Sequence, residues 1–270
     1  MPTKTLYVAD LDGTLLSPGA VLSDYSRTVI SELIDRGVSF TIATARTPAT
    51  VTHILRGLKI TLPCIMMNGA VSFSFTKMRF CDISKFPKSI TNDILILANS
   101  CPVTTFLYTF ENNCLNVFYK DDGKQYTRRF ISERSGTAYK SFKSISDYSQ
   151  ARGEIIYSAL LGAKKVLTDY FQRYRKITAL DTVLYREVNF NGIYVLESYL
   201  AGISKAKAVK RLADSICADK IIAFGDNIND MQMLKQADIG LAVANAAPEV
   251  LACADEVIGS NSADGVAKWL

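Results

Sequence analysis

Thr5-Leu6-Tyr7-Val8-Ala9-Asp10-Leu11-Asp12-Gly13-Thr14-Leu15 is the stretch from which the rest of the chain is read. The apolar run Thr5–Ala9 breaks off at an aspartate, as a strand buried in a parallel sheet does at its C-terminal end. Gly13 lets the chain leave that strand sharply. Asp10 and Asp12 stand two residues apart, so an extended backbone points both carboxylates to one side. Two crowded carboxylates are costly unless a cation neutralises them or one keeps a proton. Either condition suits phosphoryl transfer. One aspartate can attack phosphorus while the other gives a proton to the leaving oxygen and later takes one from water. The competing reading is a turn or N-cap pair, and the following Gly-Thr-Leu weighs against it.

Beyond this stretch, strand and helix patterns alternate. Asp24–Arg36 carries Val29, Ile30, Leu33 and Ile34 at helical spacing, and Val38–Ala43 reads as a second buried strand. Thr47-Pro48 supplies an N-cap and a first-turn proline for a helix to about Leu58. Leu62–Met67 reads as a third strand, ended by Asn68-Gly69. The alternation resumes late in the chain. Ser204 caps a helix with Ala206, Val209, Leu212, Ala213 and Ile216 inward. Strands follow at Lys220–Phe224, Ile239–Val243 and Glu256–Ile258, with helices at Asp230–Gln236, Pro248–Ala254 and Ala263–Leu270. The expected fold class is α/β, a Rossmann-like doubly wound parallel sheet with helices on both faces.

The middle differs. Val71–Phe75 and Met78–Cys81 read as a hairpin. Beyond it come helices at Lys88–Asn99, Lys124–Glu133 and Lys164–Tyr174, and strands at Val103–Phe110, Cys114–Tyr119, Glu154–Leu161, Ile177–Leu180 and Val183–Val188. This predicts an inserted α/β domain over residues 82–189, with the core formed by 1–81 and 190–270. Such an insertion leaves its two linkers close together, a natural hinge.

Three further stretches carry chemistry. Thr44, in Ala43-Thr44-Ala45-Arg46, lies in a turn before a helix, where a hydroxyl and backbone N–H groups can hold phosphate oxygens. Lys205 opens its helix at the positive end of the dipole, an unfavourable place for a cation unless an anion joins it. Asp226, Asn229 and Asp230 form an acidic cluster after a strand, and hard oxygen donors without His or Cys suit Mg²⁺. Each has a plainer reading: a turn threonine, a solvated lysine, an N-cap aspartate.

Together, and in this order, the four stretches resemble the motifs of the haloacid dehalogenase superfamily of phosphotransferases. The combination is similar to its Cof-like subgroup, whose inserted α/β cap is of type IIB. The resemblance covers nearly the whole core; the middle matches in position and coarse pattern. It implies a phosphatase of small phosphorylated metabolites, with Asp10 as nucleophile and Asp12 as general acid and base. It further implies Thr44, Lys205 and Asn229 as phosphate ligands. Mg²⁺ would be bound by the carboxylates of Asp10 and Asp226 and the backbone carbonyl of Asp12, with Asp230 and Asn229 in or beside that shell. Arg46, Asn68 and Gly69 would line the cleft, and Glu197 and Asn191 are further candidates on the return strand. The cap would close over the site and read the leaving group. Sugar phosphates, hexose phosphates first, are the expected substrates, with pyridoxal phosphate or flavin mononucleotide as similar small candidates. A sugar-phosphate mutase of the phosphomannomutase type and a non-catalytic metabolite-binding regulator are the alternatives. Departures from the family pattern fall at Ala45, where glycine is usual, at Ala244-Asn245, and in Asn261-Ser262-Ala263-Asp264-Gly265.

Composition narrows the field. The chain has 270 residues, 49% hydrophobic and 21% charged, enough for one large or two modest domains. The whole net charge of +5 falls between residues 82 and 190, without a dense Lys/Arg run. That favours anionic small substrates over nucleic acid. No apolar run is long enough to span a bilayer, and no secretory leader is evident, so no membrane partner is expected. The six cysteines form no Cys-x-x-Cys pair, as expected of thiols in a reducing cytoplasm. A monomer or weak homo-oligomer is the expected state. The lone histidine, His53, sits beside Val51 and Ile54 in a helical stretch. No Gly-x-Ser-x-Gly elbow, P-loop or dinucleotide fingerprint is present.

Overall fold

The computed structural model describes residues 3–136, 138–187 and 190–270. The chain divides into two compact units, Met1–Asp82 with Ser204–Leu270, and Ile83–Ile203. In chain order the elements are β1 (Thr5–Ala9), α1 (Asp24–Asp35), β2 (Ser39–Ile42), α2 (Pro48–Val51), β3 (Cys64–Met66), β4 (Val71–Ser74), β5 (Arg79–Ile83), α3 (Lys88–Ser100), β6 (Thr104–Glu111), β7 (Cys114–Tyr119), α4 (Gln125–Ser132), β8 (Lys140–Ser144), β9 (Glu154–Ala163), α5 (Lys164–Tyr174), β10 (Leu180–Arg186), β11 (Ile193–Leu200), α6 (Lys205–Ser215), β12 (Lys220–Gly225), α7 (Met231–Gln236), β13 (Ile239–Val243), α8 (Pro248–Leu251), β14 (Glu256–Ile258) and α9 (Gly265–Trp269).

The first unit is built on a parallel sheet of order β14-β13-β12-β1-β2 among the described residues. Leu6, Val8 and Ala9 of β1 are fully buried, as a central strand covered on both faces requires. Ala9 lies opposite both Ile42 of β2 and Phe224 of β12. One neighbour follows β1 in the chain and the other comes over 200 residues later. The winding therefore reverses at β1, and that reversal opens the crevice in which such sheets bind ligands. β3 joins the same edge through a parallel bridge, Ala43 to Ile65, and pairs with β4 and β5 in an antiparallel ribbon. The α/β class and parallel core read from the sequence are what is observed.

Local expectations differ in the first unit: the helix expected over Pro248–Ala254 ends at Leu251, and the strand expected from Leu62 begins at Cys64. The helix expected from Thr47 to about Leu58 is α-helical only over Pro48–Val51, then continues as turns. Thr50 and Thr52 donate their hydroxyls to the carbonyls of Thr47 and Pro48, and β-branched residues at 50–52 add helix cost. Val51, Ile54, Leu55 and Leu58 stay buried, so the apolar face survives the loss of regular helix. β3 stops at Met66, because Met67 and Asn68 adopt φ of 51° and 55°.

The second unit carries a sheet of order β10-β11-β9-β6-β7-β8 among the described residues, antiparallel except for β7 with β8. Ile94 and Ala98 of α3 and Leu167, Tyr170 and Tyr174 of α5 bury one face of it against Leu107, Leu160 and Leu196. Phe106 points to the opposite face and stacks on Phe130 of α4, with ring centroids 4.6 Å apart. The core was expected to resume at residue 190. Instead β11 pairs with both β9 and β10, and the second unit extends to Ile203. Ile177–Leu180 and Val183–Val188 were expected as two strands; one is observed, which begins only at Leu180, leaves Ile177, Thr178 and Ala179 outside it, and takes in Asp181 and Thr182, paired with Tyr199 and Ser198 of β11. Val188 and the boundary at 189 lie outside the described residues. β8, Lys-Ser-Phe-Lys-Ser, has no apolar alternation to betray it and is held at the sheet edge by β7. Among the described residues no helix is long and apolar enough to cross a membrane.

Candidate active site

Asp10 follows β1 with 5% exposure, its amide bonded to the Phe224 carbonyl at 3.0 Å. Lys205 enters from the first turn of α6, which Ser204 caps by accepting from the Lys207 amide. Lys205 is 2% exposed, and its ammonium donates to Asp10 Oδ1 at 2.6 Å and to Asp230 Oδ1 at 2.7 Å. Asp230, fully buried, accepts the amides of Asp226 and Asn227 on its other oxygen, each at 3.1 Å. One carboxylate thus fixes the lysine and the loop after β12 together. Gly225 makes room for it: a Cβ there would lie 2.6 Å from the Asp230 Cβ.

The electrostatics are uneven. Burial pushes the Asp10 carboxyl up to about 7; Lys205 pulls it down, and the neighbouring Asp230 and Asp226 push it up again. Burial opposes the Lys205 charge, but Asp10 and Asp230 outweigh it and raise the ammonium above its ordinary value. Asp226 is raised chiefly by burial, against a hydrogen bond from Thr14 Oγ1 at 2.6 Å. Ligand oxygens of Asp10, Asp226 and Asp230 lie within 4.8 Å of one another. Three carboxylates around one ammonium leave a surplus of negative charge on hard oxygens, the donor set that suits Mg²⁺. Both oxygens of Asp230 are engaged by Lys205 and the loop amides, whereas Asp10 and Asp226 each have an oxygen with no hydrogen bond among the described residues.

Gly13 has φ of +80°, and a Cβ on it would lie 2.3 Å from Asp226 Oδ2. Gly13→Ala therefore strains the turn and displaces a carboxylate of the cluster. We expect about a 10²-fold loss of turnover, the scale of a 1 Å misplacement, checked by steady-state kinetics beside a melting curve.

Asp12 is placed apart from this cluster. Its carboxylate meets Arg46 through two bonds, Nε to Oδ2 and Nη2 to Oδ1, both 2.7 Å. The guanidinium is raised in pKa first by that hydrogen bonding. Thr44 is fully buried at the end of the β2 run; its amide bonds the Ile65 carbonyl and its hydroxyl accepts the Arg46 amide at 3.2 Å. Asn68 donates its amide to the Thr44 carbonyl and accepts on Oδ1 from Asn229 Nδ2 at 3.1 Å. Gly69, with φ of 96°, lets that turn approach α6: a Cβ would lie 2.5 Å from the Ser204 carbonyl oxygen. The residues singled out in the sequence are thereby brought together in two groups. Asp10, Lys205, Asp226 and Asp230 form one, while Asp12, Arg46, Thr44, Asn68 and Asn229 form a chain of contacts beside it. Glu197 belongs to the second unit, where it accepts from the Tyr185 hydroxyl at 2.6 Å; Asn191, in the same unit, accepts from Arg186.

Three residues in stretches quoted from the sequence have supporting roles that the sequence did not assign. Thr14 holds Asp226. Asn245 donates to the Gly13 carbonyl at 2.7 Å, and Asn261 donates from its amide to Asn245 and from its side chain to the Leu16 carbonyl. This asparagine ladder pins the turn after Asp12 from the C-terminal segment. The signal for it was an asparagine two residues after β13 and another three residues after β14, both in stretches where the chain departs from the family pattern.

Residues 7–270 match the profile of the haloacid dehalogenase-like hydrolase family. The chain is 24% identical over 278 residues to the 5-amino-6-(5-phospho-D-ribitylamino)uracil phosphatase YitU of Bacillus subtilis, covering 100% of this chain and 98% of that protein. It is 22% identical over 275 residues to the pyridoxal phosphate phosphatase YbhA of Escherichia coli, covering 99% and 98%. A solved subclass IIB sugar phosphatase superposes with a TM-score of 0.74 at 20% identity, covering 99% of this chain and 97% of that one.

Proposed function

The chain belongs to the haloacid dehalogenase-like hydrolases, and on that premise we propose that it is a Mg²⁺-dependent phosphatase of small phosphorylated metabolites, with Asp10 as nucleophile. The observation that carries this reading is the Asp10–Lys205–Asp230 arrangement at the end of the central strand, with Asp226 beside it. An Asp10 oxygen attacks phosphorus in line with the ester oxygen. The P–O ester bond breaks, its electron pair goes to the leaving oxygen, and Asp12 supplies the proton. The phosphoryl group then rests on Asp10. Asp12 takes a proton from water, the water oxygen attacks phosphorus, and the Asp10–phosphorus bond breaks to release inorganic phosphate.

Lys205, held by Asp230, and the hydroxyl of Thr44 supply donors to the transferring oxygens, and Asn229 belongs to the same chain of contacts as Thr44. Asp10, Asp226 and the Asp12 carbonyl are the residues that would hold Mg²⁺, with Asp230 beside them orienting Lys205. When bound, that ion neutralises charge on the phosphate and on the carboxylates. The unit Ile83–Ile203 takes the part of a cap that selects the leaving group.

Sugar phosphates are the first substrates to test. The relatives named above act on a phosphorylated ribitylaminouracil, on pyridoxal phosphate and on sugar phosphates. The six free cysteines suit a reducing cytoplasm. The test is phosphate release from hexose phosphates, pyridoxal phosphate and p-nitrophenyl phosphate, with Mg²⁺ or with a chelator. Release is expected with Mg²⁺ and a fall of at least about 10²-fold on chelation. No release from any ester in the panel, or release indifferent to the chelator, would overturn the reading.

A further inference from the structure

We infer that Arg46 is the positioning residue for the proton transfers: it holds the Asp12 carboxylate in one orientation by a two-bond fork and keeps one of those bonds while the other oxygen works. This rests on the reading of Asp12 as general acid and base.

The fork is built from a fixed base. The Arg46 amide donates to Thr44 Oγ1 at 3.2 Å, and the Arg46 carbonyl accepts from the Met67 amide at 3.0 Å. Its side chain therefore leaves a backbone pinned on both sides, and the guanidinium meets a carboxylate 34 positions away in the chain with both bonds at 2.7 Å. A planar guanidinium sets both the place and the plane of its partner, which a lysine cannot do.

Stability does not account for the pair. Its side chains are 26% and 49% exposed, and ion pairs so open to water contribute little to folding. The Lys205 pair, at 1% and 7%, is the opposite case. What the exposed fork does provide is orientation of a short side chain that otherwise turns freely about two bonds.

The atoms allow the handover. A carboxylate accepts on both oxygens; a carboxyl group has one O–H to donate and one oxygen that still accepts. Protonated Asp12 keeps its accepting oxygen on Arg46 and turns its O–H to the leaving oxygen. The proton passes as the ester bond breaks, and the carboxylate recovers the second guanidinium bond. In the second half of the cycle the same oxygen leaves Arg46 to take the proton of the attacking water.

The consequence is selective. An alkyl leaving group needs the proton; p-nitrophenolate leaves without it. The experiment is rapid-mixing and steady-state kinetics with substrate in excess, on wild type, Arg46→Gln and Arg46→Lys with Mg²⁺, with a hexose phosphate and with p-nitrophenyl phosphate, and melting curves alongside. Arg46→Gln should lower the alkyl-ester rate about 10²-fold or more and the first-turnover nitrophenol rate less than about tenfold. It should also convert the aryl time course into a one-equivalent burst followed by a slow phase, because water activation is impaired too. Arg46→Lys should recover little of the alkyl rate, while melting temperatures shift by a few degrees at most. Equal losses on both esters, or a rise in KM with an unchanged rate ratio, would make Arg46 a substrate ligand and overturn the inference. Wild type that releases phosphate from neither ester would remove the acid–base role of Asp12, and Arg46 with it.

Discussion

Asp10→Asn is expected to lower phosphate release by about 10⁴-fold or more, as loss of a nucleophile does in a site that works as a unit, while making the metal-free protein more stable at pH 8. The two effects have one cause. Burial, with Asp230 and Asp226 adding to it, raises the Asp10 carboxyl from 3.8 to about 7 despite the Lys205 ammonium. Between those values the unfolded chain has released the proton and the folded chain retains it. The folded state binds more protons there, so stability falls as pH rises from about 4 to about 7 and then levels off. Asparagine removes this titration. The variant should therefore gain on wild type as pH rises through that window, by a few kcal/mol at most, and show no such gain near pH 4. The single tryptophan reports on the right unit: Trp269 packs edge-on against Phe224 at 5.4 Å. Urea titrations of its fluorescence with a chelator present, at pH 5 and pH 8, measure the difference. Added Mg²⁺ should reverse the order by stabilising wild type more than the variant. Unchanged turnover would remove Asp10 as the nucleophile, and equal stability at both pH values would remove the burial argument.

The same physics explains what could be read in the chain and what could not. Parallel strands that end on one sheet edge bring the residues after them together. Asp10 after β1, the Thr44 turn after β2 and the Asp226 loop after β12 therefore converge, although 10, 44 and 226 are far apart in sequence. That convergence was legible because each strand is a short apolar run with a polar stop. Lys205 was legible as an anomaly, a cation at the wrong end of a helix. Its second partner was not: the Asp230 contact depends on how closely α6 approaches the loop after β12, which no local pattern encodes. The division of Asp10 and Asp12 between separate cations was also hidden. Spacing by two suggests a shared direction, but the turn at Gly13 begins within the pair and gives each carboxylate its own partner. In the second unit, Asp181-Thr182 fell between two expected strands, since aspartate is disfavoured in a strand, and pairing with β11 overrode that local preference.

Lys205→Met is expected to lose both activity and stability, and a second substitution should separate the two losses. The ammonium lies between two carboxylates that are almost out of water. Methionine fills the stem's space but leaves Asp10 and Asp230 facing each other without a cation. Breaking a buried pair from one side costs about 3–5 kcal/mol, because the remaining charge is uncompensated. Turnover should fall about 10²- to 10³-fold, the usual effect of removing one donor from a site that stabilises developing charge. Adding Asp230→Asn removes one of the stranded carboxylates, while the amide oxygen can still accept from the Asp226 and Asn227 amides. The double variant should therefore recover much of the stability and none of the activity, followed by Trp269 fluorescence and by phosphate release. A double variant no more stable than Lys205→Met would mean that the lysine's packing, rather than its charge, holds the unit together. A double variant that regained turnover would mean that Lys205 serves only to neutralise Asp230, leaving the positive charge on the transferring phosphate to be supplied elsewhere.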